Sequence, residues 1–156
     1  QGTGQQVIPG NGSGSGDNGS NNNGNNPDDN DDNNDDTPVS NNLKITIGPV
    51  SFNATLENNE TAKAFKRLLP MTVDMSELHG NEKYYYLSNG LPTASSNPGT
   101  IRTGDLMLYG STCVVLFYET FSTSYTYTRL GRITNPSGLA SALGSGGVNV
   151  TFEITD

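Results

Sequence analysis

Apolar and polar residues alternate along much of this chain, which is the pattern of strands with one buried face. Residues 43–47 (LKITI) and Val50–Leu56 (VSFNATL) both follow this period of two, and Gly48-Pro49 separates them. The same alternation returns at 148–154 (VNVTFEI). The first two segments therefore predict a hairpin, and the third predicts a further half-buried strand.

The intervening sequence predicts more short strands and two short helices. Asn58 or Asn59 can cap a helix whose apolar residues recur at helical spacing until Pro70 ends it. The remaining predicted elements are strands at 71–88 around an Asn81-Glu82 turn, a hairpin of 103–109 with 113–120, a strand at 125–133 and a helix at 138–143. This order predicts a mainly β fold, a closed barrel of about eight strands with two short helices.

Residues 1–42 have a composition that does not suit a packed core. They contain twelve Asn, eight Gly and seven Asp, no Lys or Arg, and only Val7, Ile8 and Val39 as aliphatic residues. Such a segment buries too little apolar surface to offset its conformational entropy. We predict a disordered Asn/Gly/Asp-rich linker at 1–42 and one folded domain at 43–156. The acidic run 28–36 lacks the spacing of an EF-hand loop, so a solvated linker is the better interpretation than a calcium site.

Charge and hydropathy limit the partners and the location. The chain has 8 basic and 16 acidic residues, and the seven acids of the linker leave the folded part close to neutral. Nucleic acid and anionic membranes call for clustered Lys and Arg, so neither is an expected partner. The longest apolar run, 113–118, is too short to span a bilayer. A Gly/Ser/Asn/Asp-rich start often follows an export signal, so we expect an extracytoplasmic protein, secreted or held by a lipid anchor upstream of Gln1.

The order of the elements resembles the cyclophilin fold, and in particular the atypical bacterial cyclophilin-like family. The strings that carry the resemblance are 50–56 (VSFNATL), 61–69 (TAKAFKRLL), 98–101 (PGTI), 104–110 (GDLMLYG), 115–118 (VLFY) and 130–133 (LGRI). For the atypical family, 78–86 (LHGNEKYYY) and 104–109 (GDLMLY) are the more specific strings. The resemblance covers essentially all of the folded part and implies the fold of a peptidyl-prolyl isomerase.

The resemblance also implies where a ligand would bind. Cyclophilins hold the substrate prolyl ring in an apolar slot, and an arginine after the first helix hydrogen-bonds near the prolyl amide. Here 71–87 contains no arginine, so the candidates for that role are Arg129 and Arg102. The residues expected to line a ligand cleft are His79, Tyr84, Tyr86, Met107, Tyr109, Phe117 and Tyr127. Tyrosine combines a flat apolar face with a hydrogen-bonding tip, which suits such clefts.

We therefore expect an exported cyclophilin-like domain that binds an extended peptide, a protein segment or a small ligand in a tyrosine-rich cleft, without efficient isomerase activity. The alternative is an active peptidyl-prolyl cis-trans isomerase that uses Arg129 or Arg102. One His and one Cys are too few for the usual zinc sites, and no G-x-S-x-G elbow supports a hydrolase. No cofactor or metal is predicted. Cys113 lies in the apolar run and is expected to be a buried core residue.

Overall fold

Antiparallel strand pairing closes this chain into a barrel. The computed structural model describes residues 39–156, and the predicted linker therefore lies almost entirely outside the described residues. The strands are β1 (Asn42–Ile47), β2 (Val50–Leu56), β3 (Met71–Leu78), β4 (Glu82–Tyr86), β5 (Thr100–Ile101), β6 (Asp105–Tyr109), β7 (Cys113–Phe117), β8 (Phe121–Ser122), β9 (Thr128–Ile133) and β10 (Val148–Thr155). The helices are α1 (Glu60–Lys66) and α2 (Leu139–Leu143). The barrel order is β1-β10-β3-β4-β7-β6-β9-β2, and β5 pairs with β8 in a separate ribbon.

The predicted fold class, a closed eight-stranded β-barrel with two short helices, is confirmed. Alternation sends every second side chain into the barrel, where Leu43, Ile45 and Ile47 of β1 meet the inward residues of the other strands. Asn59 caps α1, because its side-chain oxygen accepts the Ala62 amide at 2.7 Å. Both helices add apolar residues to this interior core, among them Phe65 and Leu139.

The turn between β3 and β4 differs from the prediction. Asn81 and Glu82 were expected to form it, but the turn consists of His79, Gly80 and Asn81, and Glu82 begins β4. His79 and Gly80 both have positive φ angles, 55° and 70°, which make the tight reversal. This placement matters for function, because it puts the Glu82 side chain on the wall of the barrel.

The segments that flank β6 and β7 also differ from the prediction. The strand expected at 125–133 begins only at Thr128, and the short strands β5 and β8, which the sequence pattern does not predict, pair in a ribbon of their own. The isolated bridge between Ser96 and Tyr127 ties the two loops together. The physical reason is that these residues fold over the outside of the barrel instead of extending its wall, since their aromatic side chains are buried there.

A polar network on the wall formed by β3, β4 and the segment after β7 ties these strands to the turn before β10. Lys83 Nζ donates to Glu77 Oε1 at 2.9 Å and to the carbonyls of Gly144 at 2.8 Å and Gly146 at 2.6 Å. The phenol of Tyr118 donates to the same Glu77 oxygen at 2.7 Å. Burial acts to raise the pKa of Glu77, but hydrogen bonds from Lys83, Tyr118 and Gly80 outweigh it and hold that pKa below its usual value.

Candidate ligand-binding face

A second apolar cluster lies on the outside of the barrel wall, and we call it the outer cluster. Its buried members are Ile101, Met107, Cys113, Val115, Phe117 and Tyr127, and the partly buried Leu78, Tyr84, Tyr109, Phe121 and Tyr125 pack against them. Strand alternation explains why β7 serves both cores, since Val114 and Leu116 point inward and their neighbours point outward. Every residue of β7 is buried as a result.

Aromatic rings make up most of the outer cluster. Tyr127 is its centre, with ring centroids 5.6 Å from both Phe117 and Tyr109. Tyr125 lies 5.9 Å from Tyr109, and Phe121 lies 5.7 Å from Phe117. These separations are typical of attractive ring pairs. The cluster is therefore a packed aromatic surface, and its partly exposed tyrosines are the members that reach solvent.

The side chain of Glu82 lies on the outer face of the barrel wall, beside this cluster. Its Cα partners across the sheet are Leu78 on β3 and Phe117 on β7, and both belong to the outer cluster. Paired residues of neighbouring strands point to the same side of a sheet, as do residues two apart on one strand, so Glu82 shares the outer face with Tyr84. The residue has 0% of its surface exposed. A carboxyl group therefore lies buried among apolar and aromatic side chains.

Neither carboxyl oxygen of Glu82 has a hydrogen-bond partner within residues 39–156. Burial, reinforced by the nearby charge of Glu77, raises the pKa of Glu82 to about 8. A carboxyl group with that pKa is mostly protonated at pH 7, which is the usual response of an unpaired acid to burial.

The phenol of Tyr127 adds a second polar atom of this kind. Its oxygen is buried and has no well-aligned hydrogen bond within the described part of the chain, although the Thr123 side chain lies close enough to lower its pKa. Burial and, after it, the charge of Glu82 raise the pKa of Tyr127, which places the carboxyl within electrostatic range of the phenol. The same carboxyl also acts on Cys113, whose pKa burial and Glu82 raise to about 12. Cys113 is buried, as the sequence predicts.

The fold brings most of the sequence-predicted cleft residues to this one face. Tyr84, Met107, Tyr109, Phe117 and Tyr127 all belong to the outer cluster. Tyr86 lies beside them, with its ring centroid 5.7 Å from that of Tyr84. His79 is exposed in the turn before β4 and is not a member of the cluster.

The two candidate arginines differ in position. Arg129 is the Cα partner of the outer-cluster residue Met107, so the two side chains leave the same side of the wall, and Arg129 also lines a shallow groove with Arg132 and residues 55–58. Arg102 is exposed in the turn between β5 and β6. In the part of the chain that the structure describes, neither guanidinium group makes a hydrogen bond or ion pair with a residue of the outer cluster.

The sequence-based reasoning did not select Glu82, Phe121 and Tyr125. For Glu82 a signal was present, because an acid two residues before Tyr84 shares its face once the segment is accepted as a strand. The position was instead assigned to a turn. For Tyr125 a signal was also present, because the strand predicted at 125–133 puts it two residues before Tyr127 and so on the same face. For Phe121 no periodic signal existed, since it lies outside the predicted strands.

Residues 39–156 contain no group of three or more His, Cys, Asp or Glu side chains that could hold a metal ion. Within the same described range, no helix is long and apolar enough to cross a membrane.

These features define an antiparallel β-barrel protein with an aromatic cluster on the outside of its wall. The family model described as the Cyclophilin-like family matches residues 45–153, and the chain belongs to this family. The solution structure of a hypothetical protein from Archaeoglobus fulgidus is similar, with a TM-score of 0.50 and 19% identity over 77% of this chain and 98% of that chain. At this identity the likeness shows the fold alone. No curated protein matches the chain.

Proposed function

We propose that this cyclophilin-like domain is a binding module whose outer cluster holds an extended peptide or a small ligand, without efficient prolyl isomerase activity. The observation that carries the proposal is the set of partly exposed tyrosines on a buried apolar floor. Tyr84, Tyr109 and Tyr125 are half-buried, and Met107, Cys113 and Val115 form the floor. Rigid tyrosine rings supply contact area at low entropic cost, which favours binding sites.

The absence of efficient catalysis follows from the groups available for it. An isomerase must favour the twisted prolyl amide over both planar forms, and a positioned hydrogen-bond donor supplies much of that preference. The outward positions of β3, the strand after the first helix, carry Thr72, Asp74, Ser76 and Leu78. Arg102 is exposed in the turn between β5 and β6, and Arg129, beside Met107, makes no hydrogen bond to a tyrosine of the outer cluster through its guanidinium group in the described structure. The alternative of an active isomerase requires one of these two guanidinium groups to reach the bound amide.

One experiment separates these two functions. The full chain is added to a protease-coupled isomerisation assay with an Ala-Ala-Pro-Phe anilide, and binding of the same peptide is followed by NMR. We expect shifts at Tyr84, Tyr109 and Tyr125 and no rate above the uncatalysed one. The variant Tyr125→Ala should weaken binding at least fivefold, whereas Val50→Ala, at an exposed apolar position on β2, should not. Catalysis that Arg129→Ala or Arg102→Ala abolishes would refute the binding-only proposal.

Location is a separate proposal. The composition of residues 1–42 supports a tether outside the cytoplasm, secreted or lipid-anchored upstream of Gln1. A cell-fractionation experiment with radiolabelled palmitate tests both parts. Recovery of the unlabelled protein in the cytosol would rule out this location.

A further inference from the structure

Glu82 is the one acid in the described part of the chain whose buried carboxyl oxygens both lack a partner. Asp105 is also buried, but its oxygens accept hydrogen bonds from the Arg102 amide at 2.9 Å and from Arg132 Nε at 3.4 Å. Buried polar groups are almost always satisfied, because an unmade hydrogen bond leaves the loss of hydration of the group uncompensated. An isolated acid on the face that we propose binds a ligand therefore calls for a group that completes it.

The charges around Glu82 indicate which group is missing. Among residues 39–156, Glu77 is the only charged side chain that shifts the pKa of the Glu82 carboxyl, and its effect is repulsive. Lys83 follows Glu82 directly in sequence, but it points to the opposite side of the wall and is bound to Glu77. Within residues 39–156 no Lys, Arg or His forms an ion pair with Glu82. The site therefore holds a carboxyl group that can pair with a cation, and residues 39–156 supply no cation to it.

The outer cluster also suits a cation in its other contacts. The faces of aromatic rings attract cations through their quadrupoles, and pairs of rings around an ammonium group are a known means of binding it. Phe117 pairs with Glu82 across the sheet, Tyr84 lies two residues further along β4 on the same face, and Tyr127, whose ring packs on Phe117, offers its buried phenol as a second acceptor. An anion would face repulsion from Glu82 in its ionised form, and a purely apolar ligand would leave the carboxyl unsatisfied.

We propose that Glu82 receives an organic cation, namely the ammonium group of a small amine or of a basic residue in a bound peptide, with the aromatic rings of the outer cluster around it. This inference rests on the proposed binding function, because it names the ligand chemistry of the same face. Tyr84, Tyr109 and Tyr125 are half-buried, so a ligand in solution can contact these rings of the cluster directly.

Proton release is the consequence that makes the proposal measurable. The free acid, with a pKa of about 8, is mostly protonated at pH 7 and must lose its proton to pair with a cation. Affinity should therefore increase roughly ninefold between pH 7 and pH 9, as the ionised fraction increases from about 0.1 to about 0.9. The titratable groups that interact with Glu82 are Glu77, Cys113, Tyr118, Tyr125 and Tyr127. The pKa of Glu77 is lowered and the others are raised, so none of them shares this pH range.

The test uses the full chain and isothermal titration calorimetry with n-butylammonium, n-butanol and butyrate. These probes share one alkyl chain and differ in their polar group. We expect n-butylammonium to bind at least tenfold more tightly than either of the others at pH 8. Repeating the titration at pH 7 in two buffers of different ionisation enthalpy should show the release of nearly one proton.

Matched variants connect the effect to the carboxyl. Glu82→Gln keeps the size of the side chain and should abolish the preference for n-butylammonium, the proton release and the pH dependence together. Glu119→Gln removes an equal charge from an exposed position just after β7, and His79→Asn removes the only histidine, so both should bind like the wild type. Circular dichroism and urea unfolding establish that each variant is folded.

Two results would overturn this inference. Equal binding of n-butanol and n-butylammonium would show that the face is only apolar, and unchanged n-butylammonium binding by folded Glu82→Gln would place the cation elsewhere. Both results leave the proposed binding function intact if the Ala-Ala-Pro-Phe peptide still shifts the tyrosine signals. Loss of binding of every probe and of that peptide would instead contradict the binding function itself.

Discussion

Glu82 and Lys83, two adjacent buried residues of β4, differ in whether their ionisable groups have hydrogen-bond partners. Lys83 and Glu82 each have 0% of their surface exposed. Lys83 has three hydrogen-bond acceptors within 2.9 Å, and its ammonium group lies 5.4 Å from the ring centroid of Tyr118. The Glu82 oxygens have no hydrogen-bond partner among residues 39–156. The two side chains leave the same strand on opposite sides of the barrel wall.

The difference indicates which side serves stability and which serves binding. A buried ion with all its hydrogen bonds made holds the elements that supply its partners, and Lys83 connects the β3–β4 pair to the turn before β10 in this way. A buried acid without a partner stabilises nothing in the free protein. Such a group is consistent with a site that is completed by a ligand, so the comparison supports the proposals for the outer cluster.

Removing the Lys83 ammonium group, whose hydrogen bonds are all made, should have the largest effect on stability. We expect Lys83→Met to lower the free energy of unfolding by about 3–5 kcal/mol, because Glu77 and the carbonyls of Gly144 and Gly146 lose their common donor. Urea unfolding measured by circular dichroism at pH 7 checks this. A loss below about 1 kcal/mol would mean that the network does not hold the turn before β10.

The Glu82 carboxyl, which has no hydrogen-bond partner among residues 39–156, should make the stability of the protein depend on pH. The folded-state pKa of Glu82 is raised to about 8, so its protonation favours the folded state below its ordinary pKa, and this contribution is lost as pH increases through 8. We expect wild-type stability to fall by about 1 kcal/mol per pH unit between pH 5 and pH 8. Urea unfolding across this range should show a flat profile for Glu82→Gln. An equal slope in both proteins would assign the titration to another group.

A conservative change in the network should have an intermediate effect. Tyr118→Phe removes only the hydroxyl that donates to Glu77 Oε1 at 2.7 Å, while Lys83 continues to pair with that carboxylate. We expect a loss of about 1–2 kcal/mol, the usual contribution of a hydrogen bond to a charged group. Thermal unfolding at pH 7 measures it. Tyr85→Phe, on the neighbouring inward position of β4, serves as the matched control and should change stability less.

An exposed ion pair should have the smallest effect. Lys63 Nζ lies 3.4 Å from Glu60 Oε2 on α1, with 45% and 77% of the two side chains exposed. Water and salt screen such a pair, so Lys63→Ala should change the free energy of unfolding by less than about 0.5 kcal/mol. The same urea titration detects the difference from Lys83→Met. A comparable loss in both variants would remove the contrast between surface and buried ion pairs in this protein.

The sequence by itself determined the strands and which side chains share a face. Alternation in 43–47, Val50–Leu56 and 148–154 locates three barrel strands, because half-buried strands must place every second side chain in the core. The same rule places Tyr84 and Tyr86 on one face and Tyr85 on the other. The number and order of the strands predicted in this way also agree with the closed eight-stranded barrel that the structure shows.

Only the tertiary structure decided which faces meet and which polar groups are left without partners. Glu82 and Tyr127 are 45 positions apart, and the barrel order β4-β7-β6-β9 brings their segments to one surface. Nothing local predicts that Phe121 packs against Phe117 of β7, because the residues around Phe121 have no strand or helix period. Burial and hydrogen bonding depend on what other segments place around a residue, so the sequence that predicted the tyrosine face could not show the solitary acid within it.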